Sequence, residues 1–151
     1  MYIYRLCKAQ FTVLDGYGAF LYGGRWNLPG KAVVYTAENR ALAALEFLVG
    51  VEHHRQLGEL TMLTIEVPDD LKKETIEVKK LPKGWWEFPA PQSVARLGEE
   101  WLNKAESCIF KVPSVHIPDE FNYLLNPRHP EFGKIKVVEQ KAFGFDHRLM
   151  R

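Results

Sequence analysis

Between Ala41 and Val51 the chain reads Ala-Leu-Ala-Ala-Leu-Glu-Phe-Leu-Val-Gly-Val, an apolar stretch interrupted by a single charge at Glu46. Leu42, Leu45, Glu46 and Val49 fall at i, i+3, i+4 and i+7, which places the carboxylate on the same helical face as three aliphatic side chains. The pattern predicts a helix from Glu38 to about Val51. Glu38 would sit in the first turn, complementing the helix dipole, Gly50 would lie near the end, and the Glu46 face would point inward. A carboxylate among apolar groups loses hydration and must be neutralised, paired with a cation or hydrogen-bonded. Each of these outcomes makes Glu46 a candidate working group.

Around this helix the elements are short. Tyr2 to Cys7 reads as an opening strand followed by a long loop punctuated by Asp15-Gly16 and Gly23-Gly24. Arg25-Trp26-Asn27 lies between Gly24 and Leu28-Pro29-Gly30, so turn residues hold Arg25 just ahead of a strand over Ala32 to Thr36. Further strands are expected over Leu60–Val67, Thr75–Val78, Ser107–Val112, Ile135–Glu139 and Ala142–Phe145. Leu81 to Pro91 reads as a loop in which Trp85-Trp86 could cover a pocket, and Ser93 to Lys104 as an amphipathic surface helix. Phe121 to Pro127 reads as a compact turn-rich segment. More strands than helices, with few parallel crossovers implied, give an α+β fold in one domain spanning residues 1–151.

Charge and composition narrow the function classes. A formal net charge of +1 provides no broad field for a polyanion, so nucleic-acid binding is not expected. An RNA-cleaving activity, which would want a basic groove, is opposed on the same ground. Cys7 and Cys108 are far apart and lack ligand-like spacing, which predicts reduced structural thiols. Met1 to Leu6 has neither the basic start nor the apolar core of a signal peptide, and the Ala41–Val51 stretch is too short to span a bilayer. The expectation is a cytoplasmic protein without membrane attachment.

An arginine beside glycines, an aromatic on a strand and a glutamate in an apolar helix face suit a phosphate-bearing ligand with a cationic leaving group. Arginine offers a planar fork to phosphate oxygens, a ring stacks on a flat heterocycle, and a carboxylate stabilises a developing oxocarbenium ion. NAD has the matching pyrophosphate, nicotinamide and cleavable N-glycosidic bond.

Several segments in order carry a resemblance: Arg5, Gly23-Gly24-Arg25-Trp26-Asn27, Val34-Tyr35-Thr36-Ala37, Ala43-Ala44-Leu45-Glu46, Val112-Pro113-Ser114, Asn122 to Pro127 with His129-Pro130, and Phe145 to Leu149. Over nearly its whole length the chain resembles the RES domain family, the toxin half of bacterial RES–Xre toxin–antitoxin pairs. The resemblance implies an ADP-ribosyltransferase-like fold, with mixed or antiparallel sheets and flanking helices, that takes NAD as substrate and breaks the nicotinamide–ribose bond by hydrolysis or phosphorolysis, depleting cellular NAD and arresting growth. It further implies that Arg25, assisted by Arg5, binds the phosphates or ribose, that Tyr35 packs on nicotinamide, that Glu46 is the catalytic carboxylate, and that Ser114 hydrogen-bonds the substrate. The implied partners are an Xre-family antitoxin blocking the pocket and a second copy of the toxin. Dissociative cleavage requires Glu46 ionised, and an adjacent Arg25 would keep it so.

Two other readings stand beside this one: a mono-ADP-ribosyltransferase acting on a protein, and a non-catalytic module docking a protein partner. Asn122, Asn126 and His129 are read as architectural, through local side-chain to backbone hydrogen bonds. His53-His54 at a helix end points in divergent directions with no completing ligand, so no metal is expected.

Overall fold

The structure, a computed structural model, describes residues 1–53 and 57–150. Its strands are β1 (Tyr2–Lys8), β2 (Val34–Ala37), β3 (Leu60–Glu66), β4 (Lys73–Thr75), β5 (Ile109–Pro113), β6 (Phe121–Leu125) and β7 (Lys136–Phe143), and its α-helices are α1 (Tyr17–Tyr22), α2 (Arg40–Val49) and α3 (Gln92–Lys104). The strands form one seven-stranded sheet in the order β4-β5-β6-β2-β1-β3-β7. Every neighbouring pair is antiparallel except β4–β5. This is the α+β architecture with a mixed sheet that the sequence predicts.

Strand alternation divides the apolar side chains between the two faces of the sheet. Ile3 and Cys7 of β1, Leu63 and Ile65 of β3, and Tyr123 and Leu125 of β6 share one core. Leu124, with Phe110 and Val112 of β5, belongs to a second core that receives Val94 and Trp101 of α3. Leu6, Leu60 and Met62 form a third with Leu42 and Ala43 of α2. Two helices thus cover adjoining parts of one face, each anchored by fully buried side chains worth roughly 1.5–3 kcal/mol apiece. Cys7 and Cys108 are buried free thiols, and burial raises Cys108 to about 11.

The ladder is incomplete at the centre of the sheet. β1 and β2 meet at the single pair Tyr4–Ala37. Where the pairing would have continued, Arg5 and Leu6 of β1 and Tyr35 and Thr36 of β2 line a cavity instead.

Several local expectations are corrected. The loop after β1 contains α1, whose start at Gly16 has a left-handed backbone and whose glycines mask it as a turn. Helix α2 begins later than Glu38: Asn39 is its N-cap and accepts the Leu42 amide at 2.7 Å, whereas Glu38 lies outside and accepts the Phe121 amide. Its Glu46 face is only partly inward, since Leu42 is buried but Val49 is 56% exposed. Residues 121–125 form strand β6, placed between β2 and β5, because their alternate side chains enter two cores and Pro127 falls beyond the ladder. Val78 belongs to a 3-10 turn, leaving β4 at Lys73–Thr75, and the two closing strands are the single strand β7. Among the described residues, no helix is long and apolar enough to cross a membrane.

Candidate functional site

The cavity at the β1–β2 opening has a volume of about 500 Å³ and is walled by α1, the Gly23–Arg25 turn, α2, and single residues from the loops that carry Phe88 and His116. It lies within the range of small-molecule and cofactor sites.

One wall is a turn built around Asn27. Its side-chain amide donates to the carbonyls of Ala19, Leu28 and Lys31, while its Oδ1 accepts the Tyr35 hydroxyl at 2.7 Å. That hydroxyl also accepts the Trp26 amide at 3.1 Å. The close approach demands glycine at position 24, where a Cβ would lie 2.6 Å from the tyrosine oxygen. Burial, opposed by the Trp26 amide and Arg25, pushes the Tyr35 hydroxyl well above its ordinary range, so it stays neutral. Behind the turn, Gly98 of α3 packs so closely on Trp26 that any Cβ there would overlap the Trp26 carbonyl.

The turn presents Arg25. Its Nη1 donates to the carbonyls of Trp85 at 2.8 Å and Glu87 at 2.9 Å, tying the 82–91 loop to the site. Burial lowers its pKa from the usual value, with Glu46 and Tyr35 acting in the opposite direction, and an arginine so placed remains a cation at neutral pH. Arg5 is lowered likewise by burial against the pull of Cys7 and Asp15. Among the described residues its guanidinium has no hydrogen-bond or ion-pair partner, so all its donors remain for a ligand.

Glu46 lies across the cavity on α2. Its Oε1 accepts from Asn122 Nδ2 at 2.9 Å and from the Ser114 hydroxyl at 3.2 Å, and its Oε2 is 3.4 Å from His116 Nε2. The carboxylate is therefore held by neutral donors and an imidazole. It makes no ion pair with Arg25, contrary to the adjacency expected from the sequence; the two interact only at longer range. With its side chain 30% exposed, Glu46 lines the cavity.

Four of the five expected site residues, Arg5, Arg25, Tyr35 and Glu46, line the same cavity, and Ser114 is not among its lining residues. Ser114 is engaged differently from expectation. Its hydroxyl donates to Glu46 and accepts the amides of His116 and Ile117, which uses its one hydrogen and both lone pairs, so contact with a substrate would have to replace one of these bonds. Asn126 and His129 are architectural as read: the first accepts the Arg128 amide, the second contacts the Ala105 carbonyl and accepts the Glu131 amide.

Asn122 is not merely architectural. It grips Glu46 and lines the cavity, and its buried Oδ1 lacks a partner among the described residues. His116 went unremarked in the sequence. The available signal was the need of an isolated carboxylate for donors, together with a serine two residues before a histidine, a spacing that suits a side-chain-to-backbone turn. Of the tryptophan pair, Trp85 belongs to a core and Trp86 is exposed; the aromatic bordering the cavity from that loop is Phe88, itself 91% exposed. Among the described residues no group of three or more His, Cys, Asp or Glu could hold a metal ion, and His54 lies outside those residues.

Comparison with known proteins converges on this architecture. Residues 2–146 match the RES domain. A protein named Toxin Res from Yersinia enterocolitica is 38% identical over 99% of both chains. The Prs ADP-ribosylating toxin of a Sphingobium strain is 38% identical over 91% of this chain and 87% of its own. In the crystal structure of the M. tuberculosis MbcT–MbcA toxin–antitoxin complex, one chain superposes with a TM-score of 0.78 at 17% identity, covering 94% of this chain and 83% of that one, so the two share a fold. With its domain match running almost end to end and full-length relatives above the threshold of chance likeness, the chain belongs to the RES domain family.

Proposed function

We propose that this protein is the toxin of a toxin–antitoxin pair, and that it binds NAD in the β1–β2 cavity and cleaves the nicotinamide–ribose bond. The observation that carries the reading is the asymmetric hold on Glu46. One oxygen is fixed by Ser114 and Asn122, the other has only the His116 imidazole beside it, and two guanidinium groups line the same cavity. A preorganised carboxylate of this kind stabilises positive charge developing at the ribose anomeric carbon as nicotinamide departs with the bonding electrons. Arg5, with no hydrogen-bond or ion-pair partner among the described residues, and the remaining donors of Arg25 suit the pyrophosphate. The ring of Tyr35, its hydroxyl already committed to the turn, offers an apolar face for nicotinamide.

Names of relatives favour the toxin role, and one of them, an ADP-ribosylating toxin, favours a second outcome in which ADP-ribose passes to a protein side chain instead of water or phosphate. An antitoxin of the Xre family is the proposed partner, covering the cavity mouth near the exposed Phe88 and Val49.

Expression of the wild type and Glu46→Gln in a bacterial host, with intracellular NAD followed over time and folded protein measured in parallel, tests the reading. NAD collapse with the wild type, reduced about 10²–10³-fold in rate for the variant, is the expected result. Growth arrest with level NAD would shift the proposal to protein modification, and no arrest with either form would leave a non-catalytic binding module.

A further inference from the structure

The position of His116 has a chemical consequence of its own. The Ser114 hydroxyl that holds Glu46 also accepts the His116 amide, so a single oxygen serves both the carboxylate and the turn that brings the imidazole beside Oε2. His116 Nε2 stands 3.4 Å from Glu46 Oε2, and the ring, 28% exposed, lines the cavity. Among the described residues Nδ1 has no hydrogen bond. The contact is electrostatic, without hydrogen-bond geometry; a turn of the ring that directs Nε2–H at the carboxylate leaves, in that neutral tautomer, the Nδ1 lone pair as a proton acceptor. A carboxylate beside an imidazole that lines the cavity, and whose second nitrogen has no hydrogen bond among the described residues, is the arrangement of a general base.

We infer that His116 is the base that activates a neutral O–H acceptor, and so determines which acceptors the enzyme uses. The inference rests on the NAD-cleavage reading and adds the acceptor side to it. In the step, the C1′–N bond breaks and nicotinamide leaves neutral with the electron pair. Water oxygen forms the new bond to C1′, and its proton passes to His116 Nδ1, producing an imidazolium beside Glu46. ADP-ribose departs, and the imidazolium returns its proton to solvent. An anionic acceptor such as azide brings its own electron pair without needing to lose a proton, and so has no use for this base.

The test uses the purified full chain with NAD, in buffer with and without added azide, and quantifies ADP-ribose and the azido-sugar separately. For His116→Asn and His116→Gln the expected result is a loss of water product of about 100-fold, at least tenfold larger than the loss of azide product. Equal losses in the two arms would make His116 only a support for Glu46, and no loss in either would remove it from the reaction; both overturn the inference while leaving NAD cleavage intact. A wild type inert toward NAD would overturn the cleavage reading and this inference with it. Thermal unfolding of each variant checks the fold. Independently of any substitution, wild-type enzyme in deuterated water should slow in forming ADP-ribose but not the azido-sugar; an identical isotope effect on both products would count against the base.

Discussion

On the Arg25 side of the cavity the holding groups are mainly backbone, whereas among the described residues the Glu46 carboxylate is contacted by side chains. Arg25 rests on two carbonyls, and its turn is locked from behind by Gly98 and from the side by the Tyr35 hydroxyl. Glu46 is met by Ser114, Asn122 and His116, which arrive from β6 and from the segment joining it to β5. A wall made of main chain keeps its shape for as long as the fold survives. A wall made of side chains can be altered one group at a time without unfolding. The anion-facing side should thus fail through stability, and the carboxylate side through chemistry.

Gly98→Ala should strike hardest at the first of these. Its Cβ would overlap the Trp26 carbonyl, and neither the helix nor the turn can retreat without repacking the second core. A loss of about 3 kcal/mol is expected from urea unfolding, and a near-neutral result would mean that the turn is looser than the comparison requires. Tyr35→Phe keeps the ring but leaves Asn27 Oδ1 and the Trp26 amide without a partner. About 2 kcal/mol of stability should go, alongside weakened NAD binding by a misplaced Arg25; unchanged stability would break the link between the hydroxyl and the turn. Asn39→Ala sharpens the comparison from the other side. It removes the cap of α2 and a hydrogen bond to Glu120, costing about 1 kcal/mol in thermal unfolding, yet Glu46 is fixed from across the cavity and turnover should fall less than about twofold. A large loss of turnover would show that the start of the helix, and not its side-chain partners, sets the carboxylate.

Legibility in the sequence followed the same division. The turn could be read because its main determinants are close in the chain: Tyr35 lies only nine residues from the amide it accepts and eight from Asn27. The partners of Glu46 are 68 and 76 residues away, so local pattern announces the need for donors but does not identify them. Finding Asn122 required knowing that residues 121–125 are a strand beside β2, where Asn122 is in register with Ala37 at the entrance to α2. The Asn and Pro residues of that segment favoured a turn by composition, and only burial of Tyr123, Leu124 and Leu125 on both faces of the sheet overrides them. The α+β class, by contrast, followed from the number and order of elements and survived the misplacement of several boundaries.

Ser114 has no spare capacity, and this makes the carboxylate wall genetically indivisible. Its one hydroxyl ties the orientation of Glu46 to the path of the chain through His116. Replacements at these three positions should therefore be strongly epistatic, with a second change costing much less than it does alone once the first has been made. A lineage of such proteins cannot retune the carboxylate and the imidazole one after the other through this serine; it must change both together or route one of them through a different donor.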